Sequence, residues 1–249
     1  MKRSPKNGSS RPNANAYTPV FPMRINKYLA WKKYTTRRGA DELIEKKHVF
    51  INGTQAQLGD KVQETDRIEV LHNKKAKPLV YFSYNKPIGI VTHSTQASEQ
   101  DIRYAVQLKE VFPIGRLDKD SHGLIILTND GRITDKLLNP DYIHEKEYLV
   151  TVKSKLRPNF KEKMEGGVDI EGYLTKPCKI QIVNDFTFRI TLTEGKKHQI
   201  RRMCAALFNE VEDIERVRIM NITIGNLAAG IHRKIIGKEL ELFLKNLGF

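Results

Sequence analysis

Three short stretches of this chain carry side chains that could act on a substrate. The densest is Phe112-Pro-Ile-Gly-Arg-Leu-Asp-Lys-Asp-Ser-His-Gly-Leu-Ile-Ile-Leu-Thr-Asn-Asp-Gly131, where Gly115 and Gly123 bracket Arg116, Asp118, Lys119 and Asp120 ahead of an apolar run. Glycines on both sides let the backbone turn tightly around a charge cluster too costly to bury unpaired. The second stretch is Lys146-Glu-Tyr148 and the third is His198-Gln-Ile-Arg201-Arg202. Brought together, they would supply one carboxylate, one aromatic hydroxyl and several cations. A carboxyl of ordinary pKa, about 3.9, is ionised near neutral pH, and an arginine partner keeps it so even when partly desolvated. Asp118 is then a nucleophile or a base, not an acid. A tyrosine on a strand offers a flat face to an unpaired base, and an enzyme acting on a base within RNA must first extrude it. Each residue also has an ordinary structural explanation, as a solvated turn, strand packing or a surface charge. The weight lies in the three segments occurring in one chain.

Other chemistries lack their residues. His144-Glu145 has no second histidine four positions on, and the seven histidines show no metal-ligand spacing. Cys178 and Cys204 stand far apart, which argues against a disulfide framework and fits a reducing cytoplasm. There is no glycine-rich phosphate loop and no Gly-x-Ser-x-Gly elbow. The site is expected to work without metal or cofactor.

The elements that must position these residues follow from apolar spacing. Leu124–Leu127 reads as a buried strand behind the Asp118 loop, Glu147–Val152 alternates as a strand, and His198–Leu207 is a helix with Ile200, Met203, Cys204 and Leu207 on its apolar face. Tyr81–Thr92 reads as a strand interrupted at Lys86-Pro87 and resumed by Ile90-Val91. Further strands are expected at 179–183, 187–193 and 217–224, with helices at 132–138 and 157–165 and a last one presenting Leu240, Phe243, Leu244 and Leu247. Strands dominate, so this part is α+β with a mostly antiparallel sheet.

Ahead of it lies a smaller unit. Ile25, Tyr28 and Leu29, then Ala40, Leu43 and Ile44, fall at helical spacings, and Thr36 is placed to cap the second helix. Asn52-Gly53 signals a tight turn after the strand Val49–Ile51, and 66–71 alternates as another strand. The expected layout is a flexible basic arm at 1–22, a compact module at 23–71, a linker at 72–78 and a larger domain at 79–249. Over 249 residues, 43 Lys and Arg stand against 29 Asp and Glu, a net charge of +14, which implies a polyanionic partner, nucleic acid within the cell. No apolar run approaches the roughly 20 residues of a membrane span, and no signal-peptide segment is evident. Membrane and export are excluded as expectations.

The module resembles the S4 RNA-binding domain through Met-Arg-Ile-Asn-Lys-Tyr-Leu, Thr-Arg-Arg-Gly-Ala-Asp-Glu-Leu-Ile, Val-Phe-Ile-Asn-Gly and Gly59-Asp-Lys-Val. That resemblance implies Arg24, Lys27, Arg37 and Arg38 as RNA contacts. Gly115-Arg-Leu-Asp118 with Asp120-Ser-His-Gly-Leu-Ile-Ile-Leu-Thr-Asn, Lys146-Glu-Tyr-Leu-Val and Gly195-Lys-Lys-His-Gln-Ile-Arg-Arg-Met203 together resemble the pseudouridine synthases, in the branch of S4-containing ribosomal RNA enzymes. The resemblance runs over about 23–249. It implies an isomerase that detaches uracil from C1′, rotates it and rejoins it through C5, without cofactor. It also implies Asp118 as the essential residue, Tyr148 as the stacking partner and Arg201 as the ion-pair partner of Asp118. Arg116 and Lys146 would hold loop and backbone, and Ile214 would floor the pocket. Val111-Phe-Pro-Ile-Gly-Arg-Leu-Asp-Lys-Asp-Ser, His144-Glu-Lys-Glu-Tyr-Leu-Val-Thr-Val and Arg218-Ile-Met-Asn221 look nearest to a large-subunit rRNA enzyme, while Gly230-Ile-His-Arg233 replaces that relative's Gly-x-Trp-Arg. The expected substrate is large-subunit (23S) ribosomal RNA in the cytoplasm. A transfer RNA, alone or as a second substrate, and a non-catalytic RNA-binding or ribosome-assembly role are the alternatives.

Overall fold

The computed structural model describes residues 20–32, 34–71, 78–92, 101–108 and 110–249. Most of the expected arm, Lys33 and most of the expected linker lie outside the described residues. The chain divides into two compact units, Met1–Lys74 and Lys75–Phe249.

In the first unit, β1 (Met23–Arg24) leads into α1 (Ile25–Trp31) and α2 (Arg37–Glu45). The Thr36 hydroxyl accepts the Gly39 N–H at 3.1 Å, the cap its position predicted. β2 (Val49–Ile51) turns through Asn52 and Gly53, both at positive φ, into β3 (Thr54–Gln55). β4 (Lys61–Val62) pairs with β1, and β5 (Ile68–Val70) with β2. Ile25, Leu29, Ala40, Ile44, Val49 and Val62 are buried in one core, so the basic residues between them are turned outward.

The second unit is built on a nine-stranded sheet. Its strands are β6 (Tyr81–Lys86), β7 (Phe112–Ile114), β8 (His122–Thr128), β9 (Lys146–Val152), β10 (Lys179–Asn184), β11 (Thr187–Leu192), β12 (Val211–Ile219), β13 (Ile222–Thr223) and β14 (His232–Lys234). The spatial order is β10-β11-β9-β12-β8-β6-β14, with β7 on β8 and β13 on β12. Every pairing is antiparallel except β8 with β12. The helices are α3 (Ile102–Ala105), α4 (Ile133–Leu138), α5 (Phe160–Glu165), α6 (Gln199–Ala206) and α7 (Gly237–Asn246).

Leu124–Leu127 is apolar throughout because both faces of β8 are covered. Leu124 and Ile126 pack with Ile133, Ile219 and Phe243 on one side, whereas Ile125 and Leu127 pack with Phe82, Tyr84 and Ile102 on the other. A separate core under β9, β11 and β12 joins Val150, Phe188, Met203, Cys204 and Ile214.

Two expectations change. Ile90-Val91 does not resume β6: residues 87–89 form a turn, and Val91 makes a single bridge to Asp101. The strand expected at 217–224 instead begins at Val211, and register shifts at 211/213 and 216/218 break the alternation that would have announced it.

Candidate active site

The Asp118 loop precedes β8, and contacts from distant parts of the sequence hold its backbone. The buried Thr92 hydroxyl donates to the Leu117 carbonyl at 2.9 Å and accepts the Leu117 N–H at 3.0 Å. One side chain thus clamps both polar groups of the residue before Asp118. On the other side, the Gly89 N–H donates to the Lys119 carbonyl at 2.9 Å, and the Ser121 N–H donates to the carbonyl of Asp118 itself at 3.1 Å. The turn that carries Gly89 is braced from within: Lys86 is fully buried, and its Nζ donates to the carbonyls of Pro87 (2.9 Å) and Ile90 (2.7 Å). That brace is why the chain turns where a resumed strand was expected.

Arg216 closes the loop at both ends. From β12 its Nε donates to the Leu124 carbonyl at 2.7 Å and its Nη1 to the Arg116 carbonyl at 3.3 Å. The Arg116 guanidinium itself is exposed and makes no hydrogen bond or ion pair among the described residues, so the arginine that holds the loop is Arg216. Gly123 lies beside it at φ +103, where an added Cβ would fall 2.5 Å from the Arg216 carbonyl oxygen, so only glycine fits. Gly115 at φ +78 likewise faces Leu138 Cδ2, 3.1 Å from where a Cβ would be.

The expected ion pair between Arg201 and Asp118 is not made. Arg201, on α6, donates to the Asp120 carbonyl at 3.1 Å and the Val211 carbonyl at 3.4 Å, so it grips the loop two residues beyond the carboxylate. The half-exposed Asp118 carboxylate meets His198, whose Nε2 lies 3.8 Å from Oδ1. Gln199, which might have been an exposed surface residue, is buried. Its amide donates to Glu194 at 2.8 Å, and its carbonyl oxygen accepts the Lys196 N–H at 2.9 Å.

Tyr148 lies half-buried on β9, packed on the core that contains Val150 and Ile214. It pairs across to Arg216, which in turn pairs with Gly123, so Tyr148 is two strand spacings, roughly 10 Å, from the root of the Asp118 loop. Ile214 is buried in the same core. Lys146, also on β9, sends Nζ toward the His144 carbonyl at 3.4 Å. Burial, reinforced by repulsion from Arg216, pushes its ammonium down to about 8. Burial pushes Lys86 to about 8 as well, against the attraction of Asp118. The site therefore couples one accessible carboxylate to a set of cations behind it.

Sequence reasoning brought Asp118, Tyr148, Lys146, Arg201 and Ile214 to one unit and placed His198 in the same segment as Arg201, but it gave no role to Thr92, Lys86 or Arg216 in holding the loop. Arg216 is one of five charged residues in the nine of β12, so nothing in its type marked it as the buried one. The four basic residues expected on the first unit, Arg24, Lys27, Arg37 and Arg38, are all exposed. Among the described residues no three or more His, Cys, Asp or Glu side chains gather as a metal site, and no helix is long and apolar enough to cross a membrane.

Residues 80–206 match the family model of RNA pseudouridylate synthases, and residues 23–68 match the S4 domain. The chain belongs to the RNA pseudouridylate synthase family. The dual-specificity RNA pseudouridine synthase RluF of Escherichia coli K12 is 43% identical over 90% of this chain and 80% of its own length. An uncharacterized RNA pseudouridine synthase of Aquifex aeolicus is 34% identical over 92% and 96%. The ribosomal large subunit pseudouridine synthase B of Bacillus subtilis is 32% identical over 88% and 94%. A crystal structure of a pseudouridylate synthase superposes with a TM-score of 0.67 at 28% identity, covering 90% of this chain and 99% of that one. This synthase is thus an S4 domain followed by a catalytic unit of mixed sheet and helices, acting on RNA. The non-catalytic binding-protein alternative falls away.

Proposed function

We propose that this synthase converts a specific uridine of large-subunit ribosomal RNA to pseudouridine in the cytoplasm, with Asp118 as its essential group. The observation that carries the reading is a half-exposed carboxylate on a loop whose flanking backbone is fixed by Thr92, Gly89 and Arg216. Pre-organisation of that kind matters where reacting atoms must meet within a few tenths of an ångström. In the reaction the N1–C1′ bond breaks, uracil turns, C5 bonds to C1′, the C5 proton leaves and N1 gains one. Asp118 takes part either as nucleophile or as the base that removes a ribose proton. Tyr148 stacks on the extruded uracil and relays the C5 proton, its hydroxyl oxygen taking that proton as the hydroxyl's own passes to water. Arg201 orients Asp118 through the Asp120 carbonyl, Lys146 binds the RNA backbone with Arg116 at the rim, and Ile214 underlies the base. Arg24, Lys27, Arg37 and Arg38 supply sequence-independent affinity through phosphates.

The large-subunit assignment rests on the name of the Bacillus relative. The dual specificity in the name of the E. coli relative supports a second RNA, for which we take a transfer RNA. The test is tritium release from C5-labelled uridine in large-subunit rRNA and in transfer RNA, wild type against Asp118→Asn. Release from the ribosomal transcript by wild type alone is expected. Equal release by both proteins refutes the role of Asp118, and release from transfer RNA alone refutes the ribosomal assignment.

A further inference from the structure

Asp118 faces His198, and nothing in the reading above uses that histidine. His198 stands immediately before α6 with a left-handed backbone (φ 51, ψ 30), a conformation uncommon for a residue with a side chain. The frame that holds it there is built around two buried side chains, Glu194 and Gln199. The Glu194 carboxylate accepts from the Tyr173 hydroxyl (2.6 Å), the Lys176 N–H (3.0 Å) and the Gln199 amide (2.8 Å). Gln199 returns a bond to the Lys196 N–H, and the Lys196 ammonium lies 4.3 Å over the Tyr173 ring. The 195–198 loop is therefore tied at both ends, and the start of α6 meets the catalytic loop at two points, His198 on Asp118 and Arg201 on the Asp120 carbonyl.

We infer that His198 is a positioning residue that sets the orientation of the Asp118 carboxylate toward the bound nucleotide, and that its hold tightens when RNA covers the site; the inference rests on the activity proposed above. At 3.8 Å, with both side chains about half exposed, the contact is too long for a hydrogen bond and is open to solvent. Water competes for both polar groups there. A docked RNA displaces that water, and a polar contact is stronger in a drier setting. The role is therefore to be read in the chemical step with RNA bound and not in the stability of the free protein.

The experiment compares His198→Gly, His198→Asn and wild type in single-turnover tritium release from C5-labelled large-subunit rRNA, with the affinity for that RNA measured separately. Glycine suits φ 51, so His198→Gly keeps the backbone. The expected result is a rate roughly tenfold lower for both variants, RNA affinity within about twofold of wild type, and partial recovery of His198→Gly by added imidazole. A His198→Gly rate within about twofold of wild type overturns the inference, as does a loss that tracks RNA affinity or one that imidazole leaves untouched. Absence of release from wild type itself would refute the proposed activity, an outcome distinct from all of these.

Discussion

Replacing Thr92 by valine tests whether catalytic competence is stored in the backbone of the Asp118 loop. The substitution keeps shape and β-branching but deletes the hydroxyl that meets Leu117 N–H at 3.0 Å and Leu117 C=O at 2.9 Å. Leu117 is buried, so both groups lose a partner where water reaches poorly. An orphaned buried donor or acceptor costs about 1–3 kcal/mol, so two of them set a strain of about 2–6 kcal/mol if the loop stays in place. The loop can avoid much of that by shifting outward to find water, which moves the neighbouring Asp118. A displacement near 1 Å costs on the order of 100-fold in rate. The expected result is a single-turnover rate of tritium release about 100-fold below wild type at saturating RNA, with RNA affinity unchanged. Thr92→Ser, which keeps the hydroxyl, should stay within about threefold. A Thr92→Val enzyme of full activity, or a serine variant as damaged as the valine one, would refute the reasoning.

Further outcomes follow from other contacts. Gly123→Ala forces a Cβ to 2.5 Å from the Arg216 carbonyl at φ +103, and a cost of at least about 3 kcal/mol should lower the melting temperature by about 6–12 °C in calorimetry. Lys146 binds its proton less tightly folded, near 8, than unfolded, near 10.5. The unfolded state thus holds this proton more tightly between those values, so the contribution of Lys146 to stability rises with pH from about 8 to 10.5. Lys86 acts in the same direction, and the Cys178 and Cys204 thiols, pushed up to about 12, oppose it above about 9. The stability of wild type relative to Lys146→Met in denaturant titrations should therefore grow over that range. The double variant Arg37→Ala, Arg38→Ala should weaken RNA binding and reduce the slope of log affinity against log salt by about 1.4–1.8, leaving the single-turnover rate at saturating RNA as it was.

What the sequence disclosed depended on how local the cause was. Thr36 caps α2 three residues away, Asn52-Gly53 needs only its own two backbone angles, and the apolar Leu124–Leu127 run reports burial on both faces. Asp118 stood out because glycines and charges crowd around it. The groups that aim it did not, because each acts over a distance in sequence: Thr92 from 25 residues before Leu117, Arg216 from 100 residues after Arg116. Ile90-Val91 looked like strand because its alternation is right, and only the buried Lys86 ammonium on the carbonyls of Pro87 and Ile90 explains the turn. The pairing of Arg201 with Asp118 was a statement about side-chain direction, and spacing along a helix does not specify which of two acceptors two residues apart a guanidinium will choose.

The parallel seam between β8 and β12 has a consequence for the order in which the molecule is made. Asp118 leaves the ribosome long before Arg216, so while β12 is still unsynthesised the carboxylate has neither the guanidinium that fixes both ends of its loop nor the neighbour against which Gly123 packs. The first unit has its own core, formed by residues 23–62. A growing chain can thus present a finished RNA-binding module while its reactive group is still unaimed, and catalysis begins only when the last third of the protein closes the seam.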